Sequence, residues 1–215
     1  IQTNAIVDAS GGNTTTVNGT TPLANTARFA RNLIINGAMQ VAQRATSATG
    51  IGTAVSYNTV DRWRFADGNN PPSRFTQTQS TDAPEGFGYS HKFEVTTADS
   101  SVGADELQYT DQFIEAQNLQ VLKYGTSNAE SLTLSFYVKC SVASTMGIRV
   151  AHQNSGGEYG ESYTINLVNT WERKTITIPG NTVTAINNDN GRGLRIAFGF
   201  RVGSDFAGAD STAWG

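Results

Sequence analysis

Alternation of apolar and polar residues is the dominant pattern of this chain, and it is clearest in two segments. Residues 131–139 read SLTLSFYVK and residues 193–201 read GLRIAFGFR, with an apolar side chain at every second position. Successive side chains of a β-strand point to opposite faces, so this period predicts strands that bury one face. Both segments are therefore expected to lie in sheets that cover a core.

Shorter segments of the same kind recur along the chain, divided by glycine, asparagine and serine turns. They span residues 61–66, 73–79, 89–96, 106–114, 147–152, 162–167 and 174–178. This spacing predicts an all-β fold, an antiparallel β-sandwich of the jelly-roll type. Parallel α/β folds are excluded because the chain lacks crossover helices of adequate length.

Two local signals add detail to this prediction. Asn36-Gly37 is a strong turn dipeptide, and it predicts a turn between short strands at 33–35 and 39–41. Residues 116–124 favour one or two helical turns that close an end of a sheet.

The first 31 residues differ from the rest. Their short apolar pulses, Ile6, Val7 and Val17, are separated by turn signals. One such strand–turn–strand segment cannot bury two faces alone, which favours a stem in which several chains wind around a shared core. A flexible linker is the alternative that the polar composition leaves open. We therefore divide the chain into a stem for oligomerisation, 1–31, and a jelly-roll domain, 32–215.

Composition restricts the partners of the protein. Charged residues are 15% of the chain, against about 25% in ordinary soluble domains, so hydroxyl, amide and glycine residues must form most of its surface. The net charge of −3 and the lack of a basic run argue against nucleic acid as a partner. The sequence has no apolar run long enough to span a bilayer, so membrane insertion is not expected.

Two single residues carry further expectations. Cys140 is the one cysteine, so no internal disulfide forms, and its apolar neighbours predict a buried small hydrophobic residue. The chain opens on Ile1 and not on Met, so an upstream segment is expected to have been removed or left out.

Candidate catalytic and metal-binding groups are few. The two histidines, His91 and His152, have no metal-ligand spacing to each other or to Cys140. Clustered carboxylates could supply the pair that a glycan-cleaving enzyme needs, but charged residues at strand ends are ordinary, so we expect no catalysis. These carboxylates are Asp99, Asp105, Glu106, Asp111 and Glu115.

Calcium is the one metal that the sequence leaves open. Residues 187–191 and 99–106 offer the clustered oxygen atoms that hard cations prefer. Asparagine, aspartate and glycine are also the preferred turn formers, and the turn interpretation is favoured. We therefore expect no cofactor, with structural calcium as the alternative.

Glycan binding needs an exposed aromatic ring, on which the apolar face of a sugar stacks, and polar groups that bind its hydroxyls. Trp63 is expected in the core and Trp171 at the sandwich edge, whereas Tyr159 falls in a glycine-rich segment. The remaining candidate rings are Tyr57 and Trp214. We predict a glycan site centred on a loop at 153–163, formed by Gln153, Glu158, Tyr159 and Tyr163.

Six segments in a fixed order carry a family resemblance: NLIINGAMQVAQR (32–44), TVDRW (59–63), VTTADSS (95–101), IEAQNL (114–119), LTLSFYVK (132–139) and NTWERKTITIPG (169–180). Together they resemble segments of the tail-fibre and virion structural proteins of marine and cyanobacterial tailed phages. The strand LTLSFYVK is also similar to carbohydrate-binding modules of the galactose-binding jelly-roll type. This resemblance implies a jelly-roll head on a homotrimeric fibre.

Function and location follow from the same resemblance. It implies a virion protein, in a tail or head fibre assembled in the bacterial cytoplasm, whose head binds a host-surface glycan or another virion protein. The alternatives are a capsid-attached head fibre or decoration protein, and a tailspike that cleaves polysaccharide. The family continues beyond the equivalent of Gly215, so the last core strand is expected to be missing here or supplied by a neighbouring chain.

The resemblance implies a homotrimer, and the stem favours burial of Ile6, Val7 and Val17 between its chains. Native mass spectrometry of the intact chain should give the mass of three chains. Val17→Asp should dissociate the trimer, because it places a charge in the shared core, whereas Thr16→Asp, at the neighbouring polar position, should not. A wild-type chain that stays monomeric contradicts shared packing in the stem.

Overall fold

The computed structural model describes residues 32–153, 156–206 and 213–215. The compact unit that holds the sheets spans Ile34–Gly215. The stem assigned to residues 1–31, with its oligomerisation residues Ile6, Val7 and Val17, lies outside the described residues, and its role stays a prediction.

Ten strands and one 3₁₀-helix make up the regular structure of the described residues. The first five strands are β1 Ser47–Ile51, β2 Arg64–Gly68, β3 Arg74–Ser80, β4 Ser90–Thr97 and β5 Leu107–Glu115. The 3₁₀-helix Ala116–Leu122 follows, and then β6 Leu132–Val138, β7 Thr145–His152, β8 Glu158–Thr164, β9 Glu172–Ile178 and β10 Arg192–Val202. The helical turns expected within 116–124 are confirmed. No helix in the described ranges is long and apolar enough to cross a membrane.

The strands form three sheets. The five-stranded sheet has the order β2-β5-β10-β7-β8, the three-stranded sheet the order β1-β3-β4, and the two-stranded sheet pairs β6 with β9. All of these pairings are antiparallel. The expected all-β class and its antiparallel β-sandwich are therefore confirmed.

Phenylalanine rings join the five-stranded sheet to the three-stranded sheet. Phe65 on β2 and Phe200 on β10 pack against Phe75 on β3 and Phe93 on β4. The ring centroids of Phe93 and Phe200 are 4.8 Å apart, and those of Phe75 and Phe200 are 5.2 Å apart. Stacked and edge-to-face arrangements at such distances stabilise the contact beyond simple burial of area.

The two-stranded sheet packs on the same side through Phe136 of β6. Its ring centroid is 5.0 Å from that of Phe198 on β10 and 5.0 Å from that of Tyr163 on β8. Phe198 and Phe65 both lie opposite Thr110 of β5 and so point to one face, and Phe200 packs against Phe65 on that face. Both smaller sheets therefore cover the same face of the five-stranded sheet, and its other face is turned away from the core.

Side chains, and not a backbone ladder, join the two smaller sheets to each other in the described residues. Asp82, in the loop between β3 and β4, accepts hydrogen bonds from Lys139 Nζ at 2.7 Å and Trp171 Nε1 at 3.1 Å. Nearby, the rings of Phe87 and Tyr137 meet edge to face at 5.7 Å. We call this junction the seam.

The alternation that predicts strands also decides which side chains are buried and which are exposed. In β6, Leu134 is buried while Thr133 and Ser135 are exposed. Their partners across the strand pair are Thr177 and Thr175, so hydroxyl groups line the outside of this sheet. This surface matches the low charge of the chain.

Residues 34–41 form a turn and an irregular segment, and the two short strands expected around Asn36-Gly37 are absent there. Asn36 has a left-handed φ of 54°, and its side-chain nitrogen donates to the Val41 carbonyl at 2.9 Å. The amide of Gln112 on β5 takes the place of a neighbouring strand. It donates to the Ile35 carbonyl and accepts from the Ile35 N–H, both at 2.8 Å. One buried side chain thus pairs the backbone that a strand would have paired.

Strand β8 lies earlier in the chain than the expected segment 162–167. The Glu172 carboxylate accepts from the backbone N–H groups of Asn166 and Leu167, each at 2.9 Å, and holds these residues in a loop. The Lys174 ammonium and these hydrogen bonds lower the pKa of Glu172 to about 2. Strand β1 was not expected, because its sequence SATGI does not alternate.

A chain of polar side chains reaches the aromatic interior between β3 and β4. Asn58 Nδ2 donates to Gln77 Oε1 at 3.1 Å, which leaves Gln77 Nε2 facing His91 Nε2 at 2.6 Å. An amide nitrogen can only donate, so this nitrogen of His91 accepts and the imidazole is neutral. Burial lowers the pKa of His91 from 6.5 to about 3.

The stability of the sandwich should therefore fall as the pH drops from 6.5 towards 3. Between these two values His91 is protonated in the unfolded chain but neutral in the folded one. The contribution of the neutral ring is complete above this window and is lost through it. His91→Gln should flatten the upper part of the profile, above about pH 5, where carboxylates titrate little. Urea unfolding midpoints at each pH measure this. Equal slopes for the wild type and the variant would contradict it.

Candidate functional site

An open cleft of about 560 Å³ lies at the outer face of the five-stranded sheet. Its size falls in the range of about 300–1,000 Å³ that is usual for ligand pockets. The end of β5 and the start of β10 contribute Phe113, Glu115 and Arg192, and the loop before β10 contributes Asn190. The segments that precede β1 and β2 contribute Gln43, Arg44, Tyr57, Asp61 and Arg62.

Phe113 reaches the cleft because its neighbours on β5 are buried. Gln112 and Ile114 are 1% and 3% exposed and face the core, so Phe113 takes the opposite face of the strand. Two guanidinium groups lie over its ring, that of Arg64 at 4.6 Å and that of Arg192 at 4.1 Å from the ring centroid. Phe113 therefore holds cations and does not offer a free ring face.

The two guanidinium groups on Phe113 differ in their partners. Arg64 binds Asp111 with two nitrogens, at 2.8 and 2.5 Å, and the Asp111 side chain is fully buried. Arg192 makes no ion pair within the part of the chain that the structure describes. The N–H groups of the Arg64 guanidinium are therefore bound to a carboxylate, whereas the Arg192 guanidinium has no carboxylate partner among the described residues.

The two carboxylates that line the cleft are each held by an arginine. Arg44 Nη1 lies 2.9 Å from Asp61 Oδ1, and Arg62 Nη2 lies 2.7 Å from Glu115 Oε1. The bond from Arg62 lowers the pKa of Glu115. Arg62 has a left-handed φ of 75°, a conformation that is uncommon for a residue with a side chain.

Tyr57 supplies an exposed aromatic ring. It is 40% exposed, and the Arg44 guanidinium lies 5.7 Å from its ring centroid. The side-chain amides of Gln43 and Asn190 line the same cleft. One ring, two amides and several charged groups therefore face one open space.

The predicted glycan residues lie elsewhere, on and beside β8. The expectation that Tyr159 lies on a loop is wrong: it belongs to β8, is 4% exposed, and its ring packs 6.2 Å from that of Trp214. Tyr163 is 9% exposed, its hydroxyl lies 3.7 Å from Met146 Sδ, and burial raises its pKa. Neither ring is open to a sugar, because pairing with β7 turns both towards the core.

The two polar residues of that prediction have other partners, Glu158 through its side chain and backbone and Gln153 through its backbone. Glu158 is ion-paired with Arg149. Its backbone exchanges two hydrogen bonds with Gly215, which lies beside the edge of β8. The backbone N–H of Gln153 donates to the Gly193 carbonyl at 2.9 Å. The role assigned to Gln153, Glu158, Tyr159 and Tyr163 stays a prediction that this geometry does not favour.

The other aromatic candidates have structural positions. Trp63 is 4% exposed, as expected for a core residue, and Trp171 lies at the seam. Trp214 donates from Nε1 to the Pro179 carbonyl at 2.6 Å. Of these candidates, all within the described ranges, Tyr57 is the one that lines the cleft.

The acidic cluster considered for catalysis or calcium holds an arginine. Asp99 and Glu106 both pair with Arg201 of β10, and the side chains are 10%, 14% and 9% exposed. Asp105 accepts from the side chain of Asn69.

Asp189, in the second calcium candidate, accepts from the Gly191 N–H at 2.9 Å, as in an ordinary turn. The described residues contain no group of three or more histidine, cysteine or acidic side chains placed to hold a metal ion. Cys140 is half-buried, not fully buried as expected.

Sequence reasoning missed the three arginines of the cleft, although one signal pointed to Arg62 and to its neighbour Arg64 outside the cleft. Arg62 and Arg64 flank the buried Trp63, and alternation around a core residue places both neighbours outside. Arg44 and Arg192 carry no such signal, because they are brought to the cleft only by the folded chain.

Comparisons with known proteins leave the function open. No family model matches the chain, and no curated protein matches it. Solved structures similar to it include the enzymatically active domain of tailspike protein 4 of bacteriophage CBA120, with 14% identity, a TM-score of 0.45, and coverage of 81% of this chain and 20% of that one. A carbohydrate-binding module, CBM4, has 16% identity, a TM-score of 0.35, and coverage of 79% of this chain and 88% of that one. The chain thus spans about a fifth of the tailspike chain.

The arrangement around Arg201 predicts a large loss of stability for Arg201→Met. This change leaves two poorly exposed carboxylates without their cation, which should lower the free energy of unfolding by about 3–5 kcal/mol. Lys92→Met is the matched control, because the Lys92–Glu94 pair is exposed, and it should leave the unfolding midpoint nearly unchanged. Equal midpoints for the two variants in urea would contradict a structural role of Arg201.

Proposed function

We propose that this chain is a non-enzymatic fibre protein of a tailed phage, whose β-sandwich head binds a host-surface glycan in the cleft beside Tyr57. The observation that carries the proposal is the exposed tyrosine ring set among amides, carboxylates and guanidinium groups in one open cleft. The phage assignment, with its marine or cyanobacterial source, is supported by the ordered sequence resemblance between residues 32 and 180.

The cleft has the two kinds of group that sugar recognition needs. The apolar face of a sugar ring stacks on an exposed aromatic ring, which here is Tyr57. Sugar hydroxyls bind to groups that donate or accept in pairs, and the amides of Gln43 and Asn190 do both. Arg44 and Arg62 each use one terminal nitrogen for their ion pair, so further N–H groups stay available for hydroxyls.

Binding without cleavage is favoured by the state of the carboxylates. A glycan-cleaving enzyme needs a carboxylic acid that keeps its proton near neutral pH, and therefore a raised pKa. Arg62 lowers the pKa of Glu115, and the other carboxylate of the cleft, Asp61, is bound to Arg44. Glu115 is thus held as an anion, and Asp61 accepts a hydrogen bond from Arg44.

A trimer would make weak individual sites effective. A cleft with one exposed ring is expected to bind a single glycan weakly. Three heads on one stem, joined through residues 1–31, raise the effective concentration of the second and third sites and so the avidity for a cell surface. The same arrangement suits a fibre that contacts other virion proteins at its base.

Tyr57→Ala tests the proposal against a matched control, Tyr137→Ala. Both tyrosines are 40% exposed, but Tyr137 lies on the hydroxyl-rich outer face of the two-stranded sheet. The ligand is polysaccharide purified from bacterial cells to which the intact protein adsorbs. Tyr57→Ala should weaken binding about tenfold, the equivalent of about 1.4 kcal/mol, and Tyr137→Ala should not change it.

Calorimetry with the purified polysaccharide and a cell-adsorption assay provide the two measurements. Reduced adsorption by both variants alike would point to a general loss of structure, which a thermal melt detects. Full binding by Tyr57→Ala, or adsorption to cells without any binding to their polysaccharide, contradicts glycan recognition in this cleft.

A further inference from the structure

We infer that the cleft selects an acidic glycan, and that the guanidinium of Arg192 binds the carboxylate of one of its sugars. This inference rests on the proposed glycan function of the same cleft and adds the chemical class of the ligand.

Charge in the cleft is unbalanced towards the positive. Three arginines line it, Arg44, Arg62 and Arg192, against two carboxylates, Asp61 and Glu115. Each carboxylate is already bound by one arginine, and the cation left over is Arg192. The chain as a whole carries a net charge of −3, so this local excess does not reflect a generally basic surface.

Glu115, the carboxylate opposite Arg192 in the strand pairing, forms its ion pair with another arginine. Arg192 and Glu115 are opposite each other in the pairing of β10 with β5, where opposite charges commonly form an ion pair. Glu115 is instead bound to Arg62 at 2.7 Å. The fold therefore places an acid beside Arg192 and then neutralises that acid with a different cation.

Phe113 holds the Arg192 guanidinium in place. The guanidinium carbon lies 4.1 Å from the ring centroid, a close cation–π contact. This contact orders the guanidinium, whose N–H groups have no ion-pair partner among the described residues. A carboxylate can accept two parallel hydrogen bonds from such a fork, which is the geometry in which arginine binds acids most strongly. We assign Phe113 as a positioning residue for Arg192.

Tyr57 and Arg192 line one cleft, so a single sugar unit or a short repeat can satisfy both. The ring of an acidic sugar would stack on Tyr57 while its carboxylate meets Arg192. A phosphate ester on a sugar would satisfy the same guanidinium, because the arginine fork matches carboxylate and phosphate alike, and the experiment separates these two sources.

The experiment uses the intact protein and the polysaccharide of cells to which it adsorbs, in three forms. One form is native, one has its carboxyl groups reduced to alcohols with carbodiimide and borohydride, and one has its phosphate esters removed with hydrogen fluoride. Calorimetry gives the affinity for each form at two salt concentrations. The expected result is at least a tenfold loss for the carboxyl-reduced form alone, and a loss of affinity with rising salt for the native form.

Variants tie the effect to Arg192. Arg192→Gln should weaken binding of the native polysaccharide at least tenfold and leave the weaker binding of the reduced form unchanged. Arg192→Lys should retain part of the affinity, because it keeps the charge without the fork. Arg173→Gln is the control, since it removes the same charge from the exposed outer face of β9, and it should change nothing.

The positioning role of Phe113 has its own readout. Phe113→Tyr keeps a ring under the guanidinium and should bind like the wild type, whereas Phe113→Leu should lose affinity for the native form only. A Phe113→Leu variant that loses affinity equally for the native and reduced forms has lost structure, which contradicts the positioning role.

The remaining outcomes are also decisive. Equal affinity for the native and carboxyl-reduced forms, or an unchanged affinity of Arg192→Gln, overturns the inference while the proposed glycan function stands. A loss confined to the phosphate-free form overturns the assignment to a carboxylate. Absence of binding to all three forms overturns the proposed function and the inference together.

Discussion

The stacking of aromatic rings between the five-stranded sheet and the two smaller sheets is the contact on which the rest of this structure depends. Each inward side chain fixes the direction of its neighbours, because successive residues of a strand point to opposite faces. Burial of Phe65 turns Arg64 outward, and burial of Ile114 turns Phe113 outward. A shift of strand pairing by one residue would exchange the two sets and remove both the core and the cleft. The cleft therefore lies on the face of the five-stranded sheet that is opposite to the core.

Alternation is a local property, which is why the strands that carry it could be predicted from the sequence. The irregular segment around Ile35 could not, because its backbone partner is the side chain of Gln112, 77 residues away. Tyr159 shows the opposite error. Its glycine-rich surroundings favour a loop, but pairing with Val150 on β7 and contact with Trp214 place its ring inside. In both cases the deciding partner is distant in the chain and leaves no local pattern.

The arginines of the outer face show why residue type alone does not identify a site. Arg64, Arg62 and Arg192 all lie beside β5, yet each has a different electrostatic environment. The first is bound by a buried carboxylate and the second by a carboxylate at the cleft wall. The third lies over an aromatic ring and has no ion-pair partner among the described residues. What separates a structural arginine from one that faces a ligand is its partner. The arginines can be read from the sequence, but which group each one contacts is decided only by the fold.

The seam divides one layer of this sandwich into two parts and leaves the other layer whole. Separation along it breaks the contacts of Asp82 with Lys139 and Trp171 and the edge contact of Phe87, but no backbone ladder among the described residues. Partial opening of this kind requires less free energy than global unfolding. A force that separates the two smaller sheets would therefore act first on the side-chain contacts of the seam. The five-stranded sheet, whose strands are joined by continuous backbone pairing, would keep its shape under that load.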